Sequence, residues 1–344
     1  MAFLPYLHRV LNRESLSASD ARAAMAEILS GSATTAQIAA FLAALRVKGE
    51  TAEELQGLVM AMRDSAVRID HGITDRPVLD TCGTGGDNLG TLNISTLVAL
   101  VVASCGVAVA KHGNRSISSQ CGSADLLEAL GVKLLTDPAL IARSIREVGF
   151  GFLFAPALHP AMKHAQAARQ ELKARTVMNL LGPLANPARA TAQLVGAPSV
   201  RAAELMAVTL AALGLDRGAV VHGSDGLDEV STTASTHIFR ITHGAIEHGI
   251  VEPAEFGVRR AALEELRGGD VQVNREIAAA ILGGRQGAGR DIVLVNAAVA
   301  LQTSGLAAAP AEGMARAAEA LDSGAARRKL EQVIEFTRSV QPVA

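Results

Sequence analysis

The residues able to do chemistry in this 344-residue chain concentrate between Asp80 and Asp125, in the run DTCGTGGDNLGTLNISTLVALVVASCGVAVAKHGNRSISSQCGSAD. Its first loop sets Gly83-Thr84-Gly85-Gly86-Asp87 after an apolar strand and ahead of a helix. Glycines there let main-chain N–H groups close on an anion, and the following helix points its positive end at it. The run is neither GxGxxG nor a GK[ST] loop, which argues against a dinucleotide fold and a P-loop. A turn that simply needs glycine would read the same way. Asn93-Ile94-Ser95-Thr96 then either caps the helix or offers hydroxyls to a phosphate or a magnesium ion. The second loop, Lys111–Ser123, is the most informative. Lys111-His112-Gly113-Asn114-Arg115-Ser116-Ile117-Ser118-Ser119 places two cations, an amide and three hydroxyls within nine residues, a donor density suited to pyrophosphate. The apolar strand before it and the apolar helix after it set it at a pocket rim rather than on an open surface.

Two downstream stretches complement these loops. His222-Gly-Ser-Asp-Gly-Leu-Asp-Glu229 is acidic and follows a strand, and the adjacent Asp228 and Glu229 suit magnesium, which takes one or two carboxylates plus phosphates and waters. Arg169 and Arg175 flank a helix end, and either type can clamp a carboxylate, although surface arginines are the plainer reading. The glycine run Gly283–Gly289 reads as a helix-ending turn, with Asp291 capping the next helix, and Asp137 and Glu252 read as structural. Spacing supports no Ser-His-Asp or Cys-His arrangement and no HExxH.

The elements that must carry these loops change character near Asp75. Residues 1–74 read as a small all-helical domain. Thr34-x-x-Gln37 and Thr51-x-x-Glu54 have capping-box form, Ser17-x-x-Asp20 is a looser version, and apolar residues recur at helical spacing over Ala21–Leu29, Ala36–Leu45 and Leu55–Met62. Residues 75–175 and 191–344 alternate strands (Pro77–Asp80, Val107–Ala110, Phe150–Phe154, Leu194–Val195, Ala219–His222) with helices. That alternation predicts an α/β domain with a central, mostly parallel sheet. Thr236–Thr242 and Ala245–Val251 predict an antiparallel hairpin. Asn179–Pro187, NLLGPLANP, reads as a loop or crossover, with 176–190 returning to the helical bundle. Most of Gly313–Val340 reads as helix.

Composition narrows the function classes. A 49% hydrophobic content with 19% charged residues supports a sizeable core. A net charge of −2 offers no general pull on nucleic acid or anionic membrane, and the chain has no Trp and one Tyr to stack on bases. No apolar run reaches the roughly 18 residues of a membrane span, and the first residues lack the pattern of a secretory signal. Cys82, Cys105 and Cys121 lack CxxC spacing, so the expectation is a reducing cytoplasm with neither a disulfide framework nor a zinc site.

Taken in order, GTGGD, NIST, KHGNRSxSS with GSAD, HPAMKH, NLLGPLxNP and HGxDGLDE resemble the anthranilate phosphoribosyltransferase family. The resemblance implies a small helical domain on a larger α/β domain, similar in fold to pyrimidine nucleoside phosphorylases, with the site in the cleft and homodimers joined through the helical domains. It implies transfer of the 5-phosphoribosyl group of phosphoribosyl pyrophosphate to the amine of anthranilate, with magnesium assisting, in tryptophan synthesis. On this resemblance, Gly83, Gly86, Asp87, Thr91, Asn93, Ile94, Ser95, Thr96, Lys111–Ser119 and Ser123 contact phosphoribosyl pyrophosphate. Ser95, Asp228 and Glu229 take magnesium, Lys111, Asp228 and Glu229 serve catalysis, and Gly83, Asn114 and Arg169 take anthranilate. His112, Met178 and Gly182 line the acceptor's path. Asn88, Leu92 and Cys82 depart from the residues common in the family at those places. The rivals are a pyrimidine nucleoside phosphorylase and a non-catalytic relative that binds nucleic acid. The acidic pair speaks against the first, and the charge balance against the second.

Overall fold

Strands β1 (Val78–Gly83), β2 (Ala108–Gly113), β3 (Phe150–Phe154), β4 (Ala192–Gly196), β5 (Arg217–Gly223), β6 (Thr236–Thr242) and β7 (Ala245–Val251) form one sheet in the order β3-β2-β1-β4-β5-β6-β7. The computed structural model describes residues 2–85, 89–116 and 120–340. From β3 to β5 every neighbouring pair is parallel, and β6 and β7 add the expected antiparallel hairpin at one edge. The chain steps from β1 outward to β2 and β3, then returns to pair β4 on the other side of β1. The resulting crevice at the carboxyl ends of β1 and β4 is where ligands bind in open α/β sheets.

Four helices, α1 (Leu4–Leu11), α2 (Ala18–Leu29), α3 (Thr35–Lys48) and α4 (Ala52–Asp64), precede the sheet. Both capping boxes form: Thr34 with Gln37, and Thr51 with Glu54, each exchange side-chain and main-chain bonds. Glu54 also anchors the bundle. Its buried carboxylate accepts from Leu16 N at 2.9 Å and from Lys48 Nζ at 2.9 Å. Next come α5 (Ile94–Ser104), α6 (Ser123–Ala129), α7 (Pro138–Glu147), α8 (Ala155–Leu158), α9 (Lys163–Leu172), α10 (Met178–Leu184) and α11 (Val200–Ala212). After the hairpin follow α12 (Val271–Leu282), α13 (Ala288–Thr303), α14 (Pro310–Asp322) and α15 (Ala325–Ser339). The architecture is a helical bundle packed on a larger α/β unit. Apolar α5 and α13 fill one face of the sheet, and the bundle shares its apolar cluster with α9, α10, α11 and the opposite face through Val195, Val220, Phe239 and Ile241.

Four sequence expectations change. NLLGPLANP is not all loop: α10 runs through Pro183. Proline so near the carboxyl end removes only one bond of a short helix, and Asn179 Oδ1 receives the Thr176 N–H at its start (3.1 Å). The last helical stretch divides in two at Gly324, which takes φ 72°. Asp291 lies in the first turn of α13 rather than capping it, because the helix begins at Ala288. Lys111 and His112 belong to strand β2 rather than to the loop beyond it.

Candidate active site

Gly83 and Gly196 are register partners at the ends of β1 and β4, and Asp228 lies against both. A Cβ on Gly83 would sit 2.7 Å from Asp228 Oδ2, and one on Gly196 would sit 1.6 Å from the Asp228 carbonyl oxygen. Glycine at position 196 leaves room for the main chain of the acidic loop after β5, and glycine at position 83 leaves room for the Asp228 carboxylate. There the Asp228 carboxylate accepts the Gly85 N–H at 2.8 Å and the Thr84 hydroxyl at 3.4 Å. Burial raises its pKa, and those bonds oppose the rise. The glycine loop and the acidic loop are therefore one site. The loop base is braced by Asp225, whose carboxylate accepts from Ser231 Oγ (2.6 Å), from Leu227 N (3.2 Å) and from Thr233 Oγ1.

Successive strand residues point to opposite faces, and β2 uses this at Lys111 and His112. Lys111 turns to the α5 side. Its buried ammonium donates to Thr81 O (2.5 Å) and to Ser95 Oγ (3.2 Å), and Glu229 lies within its electrostatic reach. Burial lowers its pKa. Asn93 and Thr96 flank Ser95 in the chain at the start of α5. Thr96 Oγ1 and Asn93 Oδ1 are buried with no partner among the described residues, and Asn93 spends its amide on Cys121 O (2.9 Å) instead of capping the helix. Thr91 bridges to Arg267, and Ile94 turns its side chain into the core.

His112 turns to the opposite face. Its Nδ1 meets the Gly182 carbonyl at 3.0 Å; a carbonyl only accepts, so Nδ1 carries the proton and Nε2 is left as an acceptor without a partner among the described residues. The ring of His159 lies 5.1 Å away, also buried, with neither nitrogen bonded among the described residues. Burial depresses His112 to about 3, with His159 adding to the effect, and burial depresses His159 to about 4, so both rings are neutral at physiological pH.

The segment after β2 is held by its own polar groups. Ser123 Oγ donates to Asn114 O and accepts from Asn114 N (3.1 and 3.2 Å), and a Cβ on Gly113 would collide with that hydroxyl. Ser116 N donates to Asp125 Oδ2 (3.0 Å). Arg115 turns outward to Asp125 and Glu128 (2.9 and 2.5 Å) and lies over the Phe154 ring. Gly86, Asp87, Asn88, Ile117, Ser118 and Ser119 lie outside the described residues. On α9, Arg169 is half-buried, burial lowers its pKa, and it forms no ion pair among the described residues. Arg175 lies within electrostatic reach of Asp228.

The donor set fits magnesium. Ser95, Asp228 and Glu229 offer hard oxygen atoms, and among the described residues no group of three or more His, Cys, Asp and Glu could cage a metal. A magnesium site with one or two carboxylates, completed by phosphates and water, needs no such cage.

Comparison with known proteins agrees with this fold. The family described as "Glycosyl transferase family, a/b domain" matches residues 75–327, and its "helical bundle domain" counterpart matches residues 4–66. The anthranilate phosphoribosyltransferase of Solibacter usitatus is 58% identical over 339 residues, covering 98% of this chain and 100% of that protein. The chain belongs to the anthranilate phosphoribosyltransferase family. Its fold is similar to the crystal structure of anthranilate phosphoribosyltransferase from Thermus thermophilus, with TM-score 0.91, 41% identity and coverage of 97% of this chain and 99% of that one. It is also similar to the Saccharomyces cerevisiae anthranilate phosphoribosyltransferase in complex with PRPP and Mg, with TM-score 0.89, 29% identity and 98% coverage of both chains.

Two of the positions expected to depart from the family pattern, Leu92 and Cys82, fit the fold. Leu92 is buried, and its N–H joins Leu266 O at 3.0 Å. Burial, with Asp80, Asp228 and Glu229 nearby, pushes the Cys82 thiol far up, so it stays neutral. Sequence reasoning missed Asp80, His159, Asn186 and Gln193. His159 lay in a motif already noted, HPAMKH. Asp80 carried its own signal, a carboxylate inside an otherwise apolar strand.

Proposed function

We propose that this chain transfers the 5-phosphoribosyl group of phosphoribosyl pyrophosphate to the amine of anthranilate, giving N-(5-phosphoribosyl)anthranilate and pyrophosphate in tryptophan biosynthesis. The observation that carries the reading is Asp228 seated between Gly83 and Gly196 and bonded to Gly85 N–H, which joins a phosphate loop to a metal-binding loop. The α5 side of β2 takes the donor. Gly83, Gly86, Asp87, Thr91, Asn93, Ser95 and Thr96 contact the sugar phosphate and pyrophosphate, as do Lys111 in β2, the residues that follow it to Ser119, and Ser123. Lys111 holds the Ser95 hydroxyl and places its amine where the leaving group gains negative charge, which favours the protonated form there. Ser95, Asp228 and Glu229 hold magnesium, which when bound neutralises charge on the leaving pyrophosphate.

The opposite side takes the acceptor. Arg169 orients the carboxylate of anthranilate, with Gly83 and Asn114 beside it, and neutral His112 offers Nε2 to an amine N–H. The aromatic amine is itself neutral near pH 7, so attack needs positioning more than a strong base. Residues 1–74 with 176–190 serve as the helical domain, and 75–175 with 191–344 as the α/β domain. The chain works as a cytoplasmic homodimer joined through its helical domains. Its three free thiols suit a reducing compartment, and Leu11 and Val47 leave apolar surface on the bundle. Loss of anthranilate fluorescence on mixing with phosphoribosyl pyrophosphate and magnesium tests the activity. Fluorescence that persists with all three present contradicts it.

A further inference from the structure

Three consecutive carbonyls at the end of α10 are each held by a side chain from a different element. Gly182 O receives His112 Nδ1 from β2 at 3.0 Å, and Pro183 O receives Gln193 Nε2 from β4 at 3.0 Å. Leu184 O receives both Nε and Nη2 of Arg63 from α4, at 3.0 and 2.7 Å. Gly182 O also accepts the Ala185 N–H at 3.3 Å, but carbonyls at a helix end otherwise lack intrahelical partners, so such side-chain donors help to decide where the end lies. Two residues on, Asn186 Nδ2 donates to Asp80 Oδ2 (2.7 Å) and to Ala110 O (2.9 Å). Asp80 Oδ1 in turn accepts the His112 N–H at 3.0 Å. His112 is thus fixed by its ring and by its main chain to the same segment, 182–186.

Arg63 ties that segment to the helical bundle at evident cost. Burial, with Arg189 nearby, lowers its pKa to about 10, and it has no carboxylate partner among the described residues. A desolvated cation spent on one main-chain oxygen is a poor stabiliser where an apolar side chain would fill the space. It is, however, a rigid two-donor fork that fixes the oxygen's position. The proline before Leu184 stiffens the same turn.

We propose that Arg63 is a positioning residue for the transfer reaction: it fixes the carboxyl end of α10, which fixes the His112 ring on the acceptor side of β2. The proposal rests on the assignment of that side to anthranilate.

Arg63→Met keeps the apolar stem and removes both donors, Arg63→Lys keeps a cation with a single point of contact, and His112→Ala removes the ring. Steady-state kinetics with each substrate varied are read for all three and for the Arg63→Met/His112→Ala double variant. Arg63→Met should raise the anthranilate KM about tenfold, leave the phosphoribosyl pyrophosphate KM within about twofold, and be partly rescued by lysine. In the double variant the Arg63 change should add nothing to the loss from His112→Ala. Equal rises in both KM values, an unchanged anthranilate KM, or multiplying losses in the double variant would each overturn the proposal. If His112→Ala alone leaves the anthranilate KM at the parent value, the acceptor-side assignment falls and takes the proposal with it. If His112→Ala raises it and Arg63→Met does not, only the role of Arg63 falls. Should Arg63→Met fold too poorly to assay, Arg63→Lys carries the test, with the same split at smaller amplitude expected and an equal change in both KM values overturning it.

Discussion

Half-buried Arg169 and buried His159 both lack an ionic partner among the described residues, and the two lead to opposite expectations. A partly desolvated guanidinium gains from a carboxylate that reaches it, because part of its hydration is already lost. Arg169→Ala should therefore raise the anthranilate KM, on the order of a hundredfold for a lost charge-assisted pair, with a small change in the phosphoribosyl pyrophosphate KM. An anthranilate KM at the parent value would remove Arg169 from the acceptor site. His159 resists charge. Its folded pKa is about 4 against 6.5 for an ordinary histidine, so the fold keeps it neutral while the unfolded chain takes up a proton. That stability is complete above 6.5 and is lost as pH falls toward 4, at about 1.4 kcal/mol per pH unit. Asp80, raised to about 6, acts in the opposite sense below that pH, but it does so in parent and variant alike. His159→Phe should therefore narrow the difference in urea-measured stability between pH 7.5 and pH 5 by about 2 kcal/mol. Equal differences in the two proteins would show that His159 takes up its proton in the fold.

Among the elements, the ends of β1, β4 and β5 matter most, because the main chain of the acidic loop fits where Gly196 leaves room and its Asp228 carboxylate lies against Gly83. The main obstacle to Gly196→Ala is space. The added methyl would meet the Asp228 carbonyl oxygen and must push the loop away from Gly85 N–H. Activity should fall by about a hundredfold, as expected for an ångström-scale misplacement, with far-ultraviolet circular dichroism retained. Full activity in this variant would mean that the loop can carry the chemistry from another position. The elements themselves were legible where the signal is local. Capping boxes at Thr34 and Thr51, the proline-opened α7 and the β6–β7 hairpin follow from neighbours in sequence, and all are present. Helix α10 was not legible, because its carboxyl end is satisfied by His112, Gln193 and Arg63, up to 121 residues away. Lys111 was misplaced onto a loop for a related reason. Lysine inside a strand looks unfavourable until Thr81 O and Ser95 Oγ are there to receive it. The glycine-rich, hydroxyl-rich and acidic loops were legible as residue types, but only the strand order shows that the first and last meet.

At the scale of the molecule, the bundle and the sheet are continuous. One apolar cluster runs from Phe3 through α2–α4 to α10 and α11 and on to Phe239 and Ile241 of β6. A bundle so joined is a firm base for a subunit contact, and its outer surface carries the two most exposed large apolar side chains noted on it, Leu11 at 55% and Val47 at 75%. They stand at the carboxyl ends of α1 and α3, which lie close enough for Lys48 Nζ to reach Ser15 Oγ at 3.5 Å. Scattered apolar residues are normal on a surface, but a self-complementary patch around a two-fold axis uses each twice. Sedimentation equilibrium of the parent should return twice the 35.5 kDa chain mass. If the proposed dimer contact lies at these helix ends, Leu11→Asp with Val47→Asp places like charges in it and should return the single-chain mass, with the circular dichroism spectrum unchanged because neither side chain is in the core. A double variant that sediments as the parent does would move the contact away from these helix ends, and a parent that sediments as one chain would remove the dimer.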